Sequence, residues 1–322
     1  MKSPSWYQPT PVQLLTVALL AAAFFILLPQ LGAFQGSVQV IRQVDLYAVA
    51  AALVLLAATF FLAALTYHCL TRKSLQYHRT VLAAVANMFT NRLLPAGTGS
   101  IATFYLYLTH NRHSPTQAGS VIAVNNFLGF AGHVTLLAVV LLVYPNGFEG
   151  FTVPVIPLGP VLTSSVIVVS AIVFLGFRKS WHRRVRTVGR RLANDLIFYT
   201  LHPLRLLTAF SSSMALTVTN AAVLWCCLLA VGVIVDPIIA LAVFTIGMIV
   251  GTVTPTPGGL GGAEAGLLAG LVGYAVPVDQ ALATVILYRL LSYWTTLLIG
   301  VGTYIYITHR GYLSRPSARK TA

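Results

Sequence analysis

Charge is what this chain has least of. Of 322 residues only 6 are Asp or Glu, and all four charged types together make up 8%. A water-soluble domain carries about 25% charged residues, because its surface must be solvated. So sparse a set cannot coat a soluble particle of this size. Cysteine is also scarce. Cys69, Cys226 and Cys227 each sit in an apolar run and share no metal-site or redox spacing, so they are expected to be buried small apolar side chains. A His-Glu-x-x-His helix and paired catalytic histidines are missing, as is a Gly-rich nucleotide loop following a strand. External acidic residues are single and scattered (Asp45, Glu149, Asp236, Asp279), a poor basis for a metal-dependent transferase. The chain is therefore not expected to be an enzyme, nor to hold a cofactor or metal.

Apolar sequence is abundant instead. Hydrophobic residues make up 57% and the mean hydropathy is +0.83. They fall in long runs, and about 20 residues span a bilayer core as a helix. An all-α integral membrane protein follows, because a helix satisfies its own backbone where water is absent. Full spans are expected at Val12–Leu31, Leu46–Leu70, Thr116–Tyr144, Val161–Phe177, Leu206–Val235 and Gln280–Thr308, the first of them a retained span rather than a cleaved signal.

Two further apolar stretches are interrupted. Val81–Leu108 is broken at Pro95, Gly97, Gly99 and Ser100; Ile238–Val276 is broken at Pro255, Thr256, Pro257, Gly258, Gly259, Gly261 and Gly262. Proline removes a backbone donor and glycine loosens the backbone, so neither stretch should run as one helix. The net charge of +14 bears on how they cross. Basic residues cluster between the apolar runs, which argues for membrane topology and against nucleic acid. If both broken stretches enter and leave on one side, 17 of the 20 basic residues lie on the cytoplasmic face and Arg42 alone outside, with Arg92 and Arg289 inside the membrane. Both termini are then cytoplasmic in a multi-pass cell-membrane protein. The eight residues of Ile101–Leu108 make a short arm, which favours re-entrant hairpins over double crossings.

The chain also repeats. Pro95, Gly97, Gly99 and Pro115 recur as Pro257, Gly259, Gly261 and Pro277 at an offset of 162, and Gln117–Ala118 as Gln280–Ala281 at 163. A single transmembrane domain, 1–322, would thus hold two inverted repeats, 1–150 and 160–322, with the hairpin tips approaching each other from opposite faces. Between spans four and five, Trp181, Val185, Val188, Leu192 and Leu196 recur at helical spacing opposite an Arg-rich face. That pattern fits an interfacial helix or an ordinary basic loop.

Three charges lie within membrane-embedded sequence: Arg92, Glu264 and Arg289. Such residues are costly in a bilayer and usually face a polar cavity or each other. Two positive charges and one negative leave one cationic site, and a guanidinium matches a lipid phosphate. A Glu264–Arg289 pair that only locks the second hairpin to the last span is the competing reading. Asn87, Asn91, Ser100, Asn125, Asn126, Thr254, Thr256 and Tyr288 are candidate supporting groups, although polar residues here also join helices. His133 is expected to be packed and hydrogen-bonded.

The run from Thr254 through Pro255, Pro257, Gly258, Gly259, Gly261 and Gly262 to Glu264, followed by Leu287–Leu290 with Tyr288 and Arg289, resembles the lysylphosphatidylglycerol synthase transmembrane-region family of flippase-like proteins. Asn91 to Pro95, Gly99, and Ser114 to Ala118 are similar too. The resemblance implies an inverted-repeat lipid-translocating fold, with membrane lipids (anionic, aminoacylated or polyprenyl-linked) as partners. The chain departs from the pattern at Ser100, where an acidic residue is frequent, and at Asn126, where arginine is common. Only 14 residues follow Thr308, so any lipid synthesis is expected from a separate enzyme.

Overall fold

The structure is a computed structural model that describes residues 44–94, 97–144, 198–254, 256 and 258–313. The expected spans Val12–Leu31 and Val161–Phe177, the basic stretch around 181–196, and the break residues Pro95, Pro255 and Pro257 lie outside the described residues. Every regular element within them is helical.

Helix starts follow from local chemistry. Asp45 opens α1 (Leu46–Leu70) by accepting the Tyr47 N–H at 2.8 Å. Ser114 and Gln117 form a reciprocal capping box on α4 (Pro115–Val143), with proline at its first position. Proline also opens α5 (Pro203–Ala230) and α6 (Pro237–Val253), the latter capped by Asp236. In each case a side-chain oxygen takes an orphan N–H, or proline removes one.

Four helices are long and apolar enough to cross a membrane: α1, α4, α5 and the continuous stretch Val278–His309. At about 1.5 Å per residue, even the shortest exceeds a hydrocarbon core of about 30 Å. Only 22% of the most apolar window of α1 and of α4 is buried within the protein. Their remaining apolar surface, including Phe127, Phe130 and Leu142, faces outward. In water that exposure would be costly; against lipid it is not. The protein is an all-helical membrane protein.

The broken stretches form two helix pairs. The first is α2 (Tyr77–Leu93) with α3 (Thr98–His110); the second is α6 with α7 (Gly262–Gly273). The return arm of the first pair has 13 residues, longer than the eight expected, because helix includes Thr98–Ser100 once Gly97 has turned the chain and runs on through Thr109–His110. Expected spans shift only at their ends, except that α5 stops at Ala230, five residues short. There Val231–Val235 turns back, and the Trp225 indole donates to the Val235 carbonyl at 2.9 Å.

α1 and α5 run antiparallel, tied by Asp45 N–H to Ala230 O (3.0 Å) and Ser212 Oγ to Leu62 O (2.9 Å). One packed region joins α5, α6, α7 and α8 (Val278–Arg289) around Leu224, Val243 and Leu267. The other joins α2, α3 and α4 around Tyr107 and Leu108, with Tyr67 stacked on Phe104. Cys226 and Cys227 lie in the first; Cys69 is half-buried beside the second.

These directions sort the charges. Arg72, Lys73, Arg79, Arg112, Arg205 and Arg310 lie at one end of the bundle, where α1, α3 and α9 (Thr296–His309) finish and α2, α4 and α5 begin. Asp45, Asp236 and Asp279 lie at the other. The first helix pair leaves from and returns to the basic end, and the second does the same at the acidic end. Of the charged residues described, only Arg92, Glu264 and Arg289 remain between.

Candidate functional site

Arg92 occupies the last turn of α2, where the backbone stops coiling at Leu94. Its Nη1 folds back to the Met88 carbonyl at 3.1 Å and the Met88 sulfur at 3.2 Å. Its Nη2 reaches across to the carbonyl of Ser292. That carbonyl is presented by an irregularity in the last span. Between α8 and α9, residues Leu290–Thr295 widen into a π-helical turn. Such turns disturb the regular ladder and are frequent at functional sites. The Ser292 oxygen also accepts from Thr296 Oγ1 at 2.6 Å, and the Leu290 oxygen from Thr295 Oγ1 at 2.9 Å.

Glu264 is held by the second pair. As the third residue of α7 it takes the Gly261 N–H on Oε2 at 2.7 Å, closing the start of that half-helix. Its Oε1 lies 2.9 Å from Arg289 Nε. The N–H of that nitrogen is not aimed at the oxygen, so the contact is an ion pair rather than a hydrogen bond. One carboxylate therefore caps α7 and neutralises Arg289.

Tyr293 joins the two cations. It is 4% exposed, with the Arg92 guanidinium 4.9 Å and the Arg289 guanidinium 5.9 Å from its ring centre. Gly258, at φ +64°, lies against the same ring. A Cβ there would stand 2.6 Å from Tyr293 Cε2 and 3.4 Å from Arg92 Cγ. The end of α2, the turn before α7 and the π turn thus meet at one point. Buried Nε of Arg92 and Nη2 of Arg289 keep no hydrogen-bond partner there. One negative charge faces two positive ones in a largely buried environment, which suits a guest anion.

Cation–π attraction between desolvated groups is worth about 2 kcal/mol. Tyr293→Phe keeps the ring and is expected to melt within a few degrees of the wild type. Tyr293→Ala should lower the melting temperature clearly, and equal melting of the two variants in detergent would remove the ring from the argument.

Of the other expected site residues, Tyr288 lies within electrostatic reach of both Arg92 and Arg289. Ser100 bonds Tyr67. Tyr288 is buried, bonded to Ser292 and edge-on to Phe244. Thr254 donates to Val250 O and Thr256 to Leu260 O, both shaping the second turn. Gly97, at φ +71°, starts α3, and Gly99 and Gly262 allow close helix approach. Asn125 is half-buried on α4, Asn126 is exposed there, and no described contact ties either to the arginines. His133 is half-buried, its Nδ1 2.8 Å from Gly129 O. Sequence reasoning missed Tyr293 and Ser292. Tyr293 stands four residues after Arg289, a helical neighbour, and that spacing was the available signal. Nothing in sequence marks a backbone carbonyl freed by a π turn.

The fold and this charged centre define a polytopic helical membrane protein whose broken helices converge on buried ions. The model for the lysylphosphatidylglycerol synthase transmembrane region matches residues 13–300, and the chain belongs to that family. No curated protein matches it. The family is one of membrane proteins acting on lipids.

Proposed function

We propose that this chain is a lipid carrier of the flippase type, moving an amphiphile with an anionic or lipid-linked headgroup between leaflets without a covalent step. The observation that carries this reading is the net positive charge buried where the two helix pairs meet. Arg92 and Arg289 would bind the headgroup, Glu264 would hold Arg289 in reserve, and the turns at 97–100 and 254–262 would gate access from opposite faces.

Several features support an inverted repeat beneath this reading. α1 corresponds in order to α5, α2–α3 to α6–α7, and α4 to α8–α9. α1 and α5 cross antiparallel, each packs on the first arm of its own pair, and each second arm packs on the span after it. The arms have 12 to 17 residues, about 18–26 Å at 1.5 Å per residue, which favours re-entrant pairs. The segregated basic end favours a cytoplasmic position for it in the cell membrane, with lipid synthesis supplied by a separate protein.

Reconstitution in liposomes tests the reading. Labelled anionic, aminoacylated and polyprenyl lipids are added in turn, and outer-leaflet quenching is followed without ATP. Translocation of at least one class is expected, falling at least tenfold in the Arg92→Gln/Arg289→Gln double variant. Folded protein that moves none of the three would end the proposal.

A further inference from the structure

The last span belongs to both packed regions and passes from one to the other at its π turn. Before the turn, Ala281, Val285, Leu287 and Tyr288 of α8 are buried in the region around Leu224 and Leu267, and α8 packs on α5 and α7. After it, Tyr304 and Ile307 of α9 join the region around Tyr107 and Leu108. α9 is seated closely on α2: a Cβ at Gly300 would stand 2.9 Å from Phe89 N and 3.1 Å from Val85 O. Phe89 and Tyr304 also meet there, ring centres 5.4 Å apart. Between the two regions, Tyr293 packs with Leu260 and Leu297 in a small group apart from both.

Backbone bonding is interrupted at the same place. In an α-helix the Thr296 N–H would bond to the Ser292 carbonyl, four residues back. Here it bonds to the Tyr293 carbonyl, three back, while Thr295 Oγ1 reaches five back to Leu290 O at 2.9 Å. Side chains satisfy the Ser292 carbonyl instead: Thr296 Oγ1 at 2.6 Å, and Arg92 arriving from α2. Arg92 therefore ties the first helix pair to the point where the last span changes region. A π turn bonds over five residues where an α turn bonds over four, so this stretch carries a spare residue. Sharp bends in helices concentrate at such turns.

We propose that the π turn is the hinge on which α2 and α9 swing together against α7 and α8, and that Arg92 pins it through Ser292 until a headgroup anion claims the guanidinium. This rests on the carrier reading above and supplies the step by which headgroup capture becomes movement. A charged phosphate is a stronger partner for a guanidinium than a neutral carbonyl, so the exchange runs toward release of Ser292. Freed of Arg92, the turn bends because its ladder is already incomplete. The close-packed interiors on either side are not continuously deformable and move as units.

Hydrogen exchange of the full-length protein in detergent, read by mass spectrometry, tests the hinge with two variants. Deleting Trp294, which is 49% exposed, removes the spare residue and lets α8 run into α9 as one α-helix without turning either flank. Exchange across 290–296 should slow by about fivefold or more, the worth of one net hydrogen bond, with melting within a few degrees of the wild type. Arg92→Gln should speed exchange across the same residues about fivefold and leave α1 and α4 unchanged; a general loss of stability would speed it everywhere. In liposomes, whichever lipid the wild type moves should speed exchange at 290–296 in the wild type and not in Arg92→Gln. The deletion should move that lipid about tenfold more slowly, or not at all. A wild type that moves no lipid ends the carrier reading, and exchange in the two variants then decides the hinge alone. Wild-type exchange or transport in the deletion, or a deletion that does not fold, would overturn the hinge. So would Arg92→Gln exchange that is unchanged or raised throughout, or a moved lipid that leaves wild-type exchange as it was.

Discussion

Replacing Glu264 with glutamine is expected to destabilise the protein by about 3–5 kcal/mol, the usual effect of stranding one member of a buried ion pair. Both side chains are nearly buried, at 13% exposure for Arg289 and 11% for Glu264, so solvent cannot absorb the unpaired charge. Glutamine can still accept the Gly261 N–H, so this variant isolates the charge from the cap. Glu264→Ala removes both and should melt lower again, by about 1 kcal/mol for the cap. Glu264→Gln/Arg289→Met removes both charges and should recover most of the loss, since an apolar replacement of a buried pair is often neutral. Melting in detergent reads these steps. Translocation then separates two roles for the pair: a recovered double variant that moves lipid at the wild-type rate would make Glu264–Arg289 a lock only. A headgroup role for Arg289 requires that it fold and fail to transport.

The second large effect is expected at a glycine. A Cβ on Gly99 would stand 2.0 Å from the Thr90 carbonyl oxygen and 2.6 Å from the Asn91 nitrogen. These are backbone atoms of α2 and cannot rotate away. Gly99→Ala must force α3 off α2, breaking the Thr90–Thr103 hydroxyl contact at 2.7 Å and shifting Arg92 two residues further on. The loss should lie at or above the upper end of the 1–3 kcal/mol that overpacking costs, about 3 kcal/mol. Gly129→Ala is the control: it is a helical glycine with nothing within 4 Å of the added atom. It should be neutral, or gain the 0.5–1 kcal/mol or so by which alanine exceeds glycine in a helix. Equal melting of the two variants would show that the close approach of α2 and α3 is not what holds the first pair together.

The same contrast explains what the sequence made legible. Helix starts could be read because a cap is a contact between neighbours in the chain. Asp45, Ser114 with Gln117, and the prolines at 115, 203 and 237 each act within four residues of their own position. The breaks at 95–100 and 254–262 could be read for the same local reason. Close helix seams could not. Gly247 and Gly251 are two of 25 glycines, and their role exists only because α7 lies across them. Cβ atoms at Gly251 and Gly266 would come within 2.7 Å of Ala263 Cβ and 2.9 Å of Gly247 Cα. In lipid, which rewards contact rather than burial, such closeness is a large part of what joins helices.

Scarcity of charge and length of the apolar runs were enough to determine a helical membrane protein, and three charges inside those runs marked where to look. Those conclusions rest on transfer energies and backbone bonding, which depend on residues one at a time or on neighbours in the chain. Convergence of Arg92, Glu264 and Arg289 on Tyr293 was decided by tertiary structure alone. It requires a π turn that bares the Ser292 carbonyl, a glycine at 258 that admits a ring, and two helix pairs entering from opposite ends. Arg92 and Ser292 are 200 positions apart, and no local rule of periodicity or capping reaches across that distance.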